Sequence, residues 1–159
     1  MSKGISKKQM LPWLAVAAWM VVIFVLSAQN SSQSGNTSGM IVRWFLSLLY
    51  RGFEEFSPER QAELLEVWHL VIRKGAHFTE YAVLAMLIAN ALLVCEKLRW
   101  FVPVAVSAAY AVTDEIHQYF VPGRACRLLD VGIDTCGALF GTAVFLLAVH
   151  LWKKHTRSS

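Results

Sequence analysis

The residues able to carry chemistry fall into three short stretches. Arg73 and Lys74 lead into His77, Glu80 and Tyr81; Asp114, Glu115, His117 and Gln118 form the second group; Arg124, Asp130 and Asp134 lie in and beyond the turn that follows. Imidazole titrates near physiological pH, so His77 and His117 are the natural proton carriers. A carboxylate one helical turn away can orient each ring, Glu80 for His77 and Asp114 for His117. Lys74 and Arg124 suit a phosphate or carboxylate, the arginine through a bidentate fork. The set therefore supports acid–base chemistry on, or simple binding of, an anionic lipid-linked ligand. Ser27 and Ser107 have no GxSxG-type context, so a serine nucleophile is not indicated. His77, Glu80, Asp114, His117 and Asp134 are legal metal ligands. The HxxE spacing at 77–80 is weak, however, and HExxH is absent, so no metal and no cofactor is assigned. His69, His150 and His155 lie outside the cluster and receive no role.

These polar residues sit in a very apolar chain. Of 159 residues, 56% are hydrophobic and 16% charged, against about 45–50% and about 25% in soluble domains. Such a balance excludes a disordered chain, a coiled coil and a secreted disulfide knot, and points to an integral membrane protein. The formal charge of +4 is spread over the edges of apolar runs rather than along one stripe. That is the distribution of topology signals, not of a nucleic-acid surface. The three cysteines cannot all pair with one another, and no CxxC is present.

A spanning helix needs about 20 apolar residues. Four spans are predicted, at about 11–27, 75–95, 100–120 and 131–152, within one domain covering 1–159. The middle two carry Glu80, Asp114, Glu115 and His117, which lower their hydropathy. The first run also has the look of a signal peptide. Leu26, three places before a cut after Ala28, is not small, so an uncleaved helix is favoured. Lys3, Lys7 and Lys8, then Lys97 and Arg99, then Lys153, Lys154 and Arg157 mark the cytoplasmic ends. Both termini then face inward, in a multi-pass protein of the cell membrane with lipids as its first partners.

Residues 28–73 form the long outer segment. Gln29 to Gly39 has loop composition. From Met40 to Tyr50, Ile41, Val42, Trp44, Phe45, Leu48 and Leu49 make an amphipathic pattern suited to the membrane interface, with Trp44 and Tyr50 as anchors. Ser57 reads as an N-cap with Pro58 at the first helical position. A helix then runs to about Val71, with Leu64, Leu65, Trp68 and Ile72 on one side. The expected fold is thus all-α: a four-helix transmembrane bundle with an amphipathic interfacial segment between the first two spans.

Charges inside spans cost about 2.5–3.5 kcal/mol each on insertion scales, which makes them functional candidates. Here all of them lie near the outer ends of their helices. Glu80 and Asp114 fall about 9 Å inside the boundary at 1.5 Å per residue. The inner halves are almost wholly apolar, which predicts a polar pocket open outward and closed toward the cytoplasm, and argues against a transporter. Below Asp134, Gly137, Ala138 and Gly141 permit close helix contact. The plainer alternative is an ion-pair lock. Arg73, Lys74, Arg124 and Arg127 would balance Glu80, Asp114, Glu115, Asp130 and Asp134, fixing register without any ligand.

Three blocks, RKGAHFTEYAVLAML (Arg73 to Leu87), DEIHQYFVPGRAC (Asp114 to Cys126) and DVGIDTCGALFG (Asp130 to Gly141), together with SAQ at the end of the first span, resemble the VanZ-like family. The resemblance implies a bacterial four-helix inner-membrane protein related to an accessory factor of glycopeptide resistance, linked to low-level teicoplanin resistance. It supplies no catalytic assignment. The positions carried over are Arg73, Lys74, His77, Glu80, Tyr81, Glu115, His117, Gln118, Arg124, Asp130, Asp134 and Gly137. The expected partner is an envelope ligand: a lipoglycopeptide, a lipid-linked wall precursor or a lipid head group. Binder and enzyme both remain open readings.

Overall fold

The structure is a computed structural model that describes residues 6–28, 31–121 and 127–158. Among the described residues five α-helices follow one another: α1 (Lys7–Ser27), α2 (Ser31–Leu49), α3 (Pro58–Val94), α4 (Phe101–Tyr119) and α5 (Leu128–Ser158). A single 3-10 turn at Phe53–Glu55 lies between α2 and α3, and no strand occurs among the described residues. Three of the described helices, α1, α3 and α5, have the length and composition to cross a bilayer. The polar residues at the end of α4 keep it out of that group, as its sequence implies.

Two expectations need correction. The helix starting at Ser57 and the second span are not separate elements. They form one continuous helix of 37 residues, about 55 Å long at 1.5 Å per residue. The start is as predicted, with Ser57 Oγ accepting the Arg60 N–H at 3.4 Å and Pro58 in the first turn. No break follows Val71 because Gly75 alone costs about 1 kcal/mol in a helix, and α5 holds that turn through the Lys74–Asp130 pair. The second correction concerns α2, which begins at Ser31 inside the stretch expected to be loop. Its Ser, Asn and Gly residues are weak helix formers, not breakers, and the packing of Val42 and Leu46 farther along the same helix overrides propensities of this size.

The end of α3 is built by its backbone. Glu96 adopts a left-handed φ of 58°, and the Glu96 and Lys97 N–H groups return to the Leu93 and Leu92 carbonyls at 3.0 and 2.9 Å. This is the Schellman arrangement that satisfies orphan carbonyls at a helix end.

The bundle is up-and-down. α3 and α5 run in the same direction, with Lys74 beside Asp130, and the Phe78 and Ala82 carbonyls against Gly137 and Gly141. A Cβ at either glycine would overlap that backbone, so only glycine allows the two helices to approach this closely. α1 and α4 also run alike: Tyr110 Oη donates to the Met20 carbonyl at 2.7 Å, and Ser27 Oγ donates to Asp114 Oδ2 at 2.7 Å. Trp19 Nε1 ties α1 to α3 at the Glu80 carbonyl, 2.9 Å away. The core between them contains Val16, Ile23, Tyr81, Leu84, Ile88 and Ala111. Outside, Leu11, Leu14, Val21, Leu139, Phe140 and Leu147 are exposed, as a hydrocarbon surround permits.

A second, smaller core joins α2 to the first half of α3. Val42, Leu46, Phe53 and Leu64 are buried there, flanked by Leu65, Trp68 and Ile72. Phe45 and Trp68 stack at 5.1 Å between centroids. Gly52, at φ +77°, turns the chain from α2 toward α3 in the region only glycine enters freely. The predicted apolar side of the Ser57 helix is thus the one buried. On α2, Trp44 and Leu48 stay exposed.

Candidate functional site

Four helices bring their polar residues to one end of the bundle. α1 contributes Ser27 from its last turn. α3 contributes Lys74, His77, Glu80 and Tyr81, which span about 10 Å along its axis. α4 contributes Asp114, Glu115, His117 and Gln118 from its C-terminal turns. α5 contributes Asp130 and Asp134 from its first turns. The i, i+3 and i, i+4 spacings place each set on an inward face: Tyr81, Asp114, Glu115, Gln118 and Asp134 are all buried.

Within this layer the groups sort into three sets. Between α1 and α4, Asp114 Oδ2 accepts from Ser27 Oγ at 2.7 Å and from Gln118 Nε2 at 3.0 Å, while Gln118 Nε2 also lies 3.1 Å from Ser27 Oγ. Between α3 and α5, Lys74 pairs with Asp130, and His77 Nδ1 stands 3.9 Å from Glu80 Oε2 and 4.0 Å from Asp134 Oδ1. At the α4–α5 corner, Glu115 Oε2 accepts the Arg127 backbone N–H at 2.8 Å. Truncation of Asp114 to alanine strips Ser27 and Gln118 of their acceptor. It is expected to cost about 2 kcal/mol, read as a lower thermal midpoint in detergent, with Asp114→Asn costing less.

Several acceptors stay open. Asp134 Oδ1 and Oδ2, Asp114 Oδ1, Glu115 Oε1 and the Tyr81 hydroxyl are buried without a hydrogen-bond partner among the described residues. Deeper in the bundle, Ser107 and Thr142 are the buried side chains in that state. The carboxylates of Asp114, Glu115, Asp130 and Glu80 all act electrostatically on Asp134. No group of three or more His, Cys, Asp or Glu among the described residues has the geometry to hold a metal ion.

His77 lies beside a carboxylate, as its spacing from Glu80 implies. The other histidine does not. His117 stacks on Phe24 of α1, with centroids 4.3 Å apart, because Asp114 is already taken by Ser27 and Gln118. Sequence gives no signal for that ring contact. Nor does it single out Trp19 and Tyr110, whose bonds to backbone carbonyls hold α1 in place. Arg73 is half-buried on α3 and forms no ion pair among the described residues. Arg124 lies outside the described residues. Arg127 is exposed and joins the layer only through its backbone. The balanced lock of cations and carboxylates is therefore represented, among the described residues of the layer, by the Lys74–Asp130 pair.

An all-helical chain with three helices of membrane-crossing length and a buried carboxylate layer at one end is a membrane protein. The VanZ/LLP1 family profile matches residues 12–149, and the chain belongs to that family. No curated protein and no solved structure matches it.

Proposed function

We propose that this chain is a four-span protein of the bacterial inner membrane, with both termini cytoplasmic. Its carboxylate–histidine layer then faces the extracytoplasmic leaflet and binds a cell-envelope ligand: a lipoglycopeptide, a lipid-linked wall precursor or a lipid head group. The function served is glycopeptide resistance of the teicoplanin type, or envelope homeostasis.

α4 serves as the fourth span, since its Asp114, Glu115 and Gln118 are turned away from lipid. Lys7, Lys8, Lys97, Arg99, Lys153 and Lys154 gather at the end opposite the layer, which supports the orientation. On α2, the exposed Trp44 with Arg43 next to it suits contact with the interface, whereas Tyr50 packs against the small core and Phe56. The observation that carries the reading is the burial, among the described residues, of open carboxylate oxygens at one end of the bundle only. Buried polar groups cost free energy unless partnered, and a fold with no use for them gains by replacing them.

The experiment compares wild type with His77→Ala and Glu80→Gln in a glycopeptide-susceptibility assay, at matched membrane abundance. Both variants are expected to lose protection while remaining inserted and folded. Full protection from both removes the layer from that activity. A second reading, acid–base catalysis on a lipid-linked substrate, draws on His77 between two carboxylates. Under it, mass spectra of membrane lipids gain a product that is absent with His77→Ala.

A further inference from the structure

We propose that the layer receives a primary ammonium group, carried by the membrane ligand, between α3, α4 and α5. This rests on the reading that the layer binds an envelope ligand, and it names the chemistry the ligand must bring.

Charge comes first. Lys74 is engaged by Asp130, so it is not available to an incoming phosphate or carboxylate. Arg127 points outward and gives only its backbone N–H. Among the described residues, what remains without a hydrogen bond inside is acceptor capacity: both oxygens of Asp134, one of Asp114 and one of Glu115, with His77 Nδ1 4.0 Å from Asp134 Oδ1, beyond hydrogen-bond reach. Asp134 has no solvent exposure and lies within the field of four other carboxylates. An anionic guest would add to that repulsion, whereas a cationic guest offsets it.

The second observation is not acidic. Tyr81 is fully buried, and its hydroxyl has no partner among the described residues. It feels Asp114, Asp134 and Glu80 as its charged neighbours. A buried tyrosine usually places its hydroxyl on a partner, so this one is aimed at a group yet to arrive. An ammonium carries three N–H donors and no acceptor. Asp134, Asp114 and the Tyr81 oxygen, from three different helices, are the acceptors it needs. Tyr110, 6.3 Å from Tyr81 between ring centroids, adds an aromatic wall that favours a cation. The rim lies toward α3 and α5, where the side chains of Lys74, His77 and Glu80 keep 19%, 13% and 16% exposure.

Two sources carry this group: an aminophospholipid, and an amine on a lipid-linked peptide. Native mass spectrometry of the full chain in detergent separates them. One arm offers dioleoylphosphatidylethanolamine against its N-acetyl derivative. The other offers palmitoyl-lysine amide against its Nε-acetyl derivative. The free amine is expected to be retained about tenfold better in at least one arm, the weight of one charge-assisted hydrogen bond, and the arm that shows it names the source. Asp134→Asn is expected to bring that ratio to about one. Tyr81→Phe removes a hydroxyl with no hydrogen-bond partner among the described residues, so a purely structural role predicts unchanged binding and undiminished stability. A binding role predicts a ratio lowered several-fold with the thermal midpoint kept. Equal retention of free and acetylated probes in both arms overturns the proposal. So does a preference that survives both substitutions. If the ratio is one while His77→Ala still abolishes protection, the ammonium assignment fails alone. If the ratio holds and susceptibility never changes, the resistance reading fails alone.

Discussion

Gly141→Leu is expected to prevent α3 and α5 from packing, with little folded protein recovered from membranes. The cause is contact with the backbone rather than with a flexible side chain: a Cβ at Gly141 overlaps the Ala82 carbonyl, and one at Gly137 overlaps the Phe78 carbonyl. Overpacking a tight contact costs about 1–3 kcal/mol, and more where nothing can move. Even Gly137→Ala is therefore expected to lower the thermal midpoint in detergent measurably. The internal control is Gly132, the fifth residue of the same helix, which lies in open space. Gly132→Ala is expected to be neutral or to raise stability by about 0.5–1 kcal/mol through helix propensity alone. Equal behaviour of Gly132 and Gly141 variants would show that the close approach of the two helices is not what glycine provides.

Loss of Lys74 has the next largest effect. Its pair with Asp130 keeps only 19% and 14% side-chain exposure, so Lys74→Met strands a carboxylate in poorly solvated surroundings. Breaking a buried pair costs about 3–5 kcal/mol, and the residual exposure puts the expectation at about 3 kcal/mol, the lower end of that range. Adding Asp130→Asn to Lys74→Met is expected to restore most of the loss. A double-mutant cycle on thermal or denaturant unfolding measures that coupling. Additive losses would mean that the two side chains do not depend on one another.

Much of this arrangement is readable before any coordinates. The spacings 77, 80, 81 and 114, 117, 118 and 130, 134 specify inward helical stripes, and their shared distance from the cationic helix ends puts them at one depth. The Ser57–Pro58 start of α3 is equally local, since it depends on a cap and a fixed φ. Continuity of α3 is not local. Arg73, Lys74 and Gly75 read as a boundary by composition, and only contact with α5 shows that the helix runs through it. The same holds for α2, whose serine-rich start is helical despite its loop composition. Partner choice inside the layer is less legible still. Spacing makes Asp114 available to His117, yet Ser27 from a helix 87 residues away takes the carboxylate, and Phe24 takes the ring. Gly137 and Gly141 announce close approach, but not which carbonyls they meet.

The unbroken α3 has a mechanical consequence. Neither an internal proline beyond Pro58 nor a left-handed residue interrupts it before Glu96, so it offers no hinge. The α2 hairpin rides on one half of this rod, and Lys74, His77 and Glu80 sit near its middle. Torque applied to the hairpin must therefore turn those three side chains by the same angle against Asp130 and Asp134. Whatever grips the α2 hairpin thereby also grips the charge layer, through a lever with no slack.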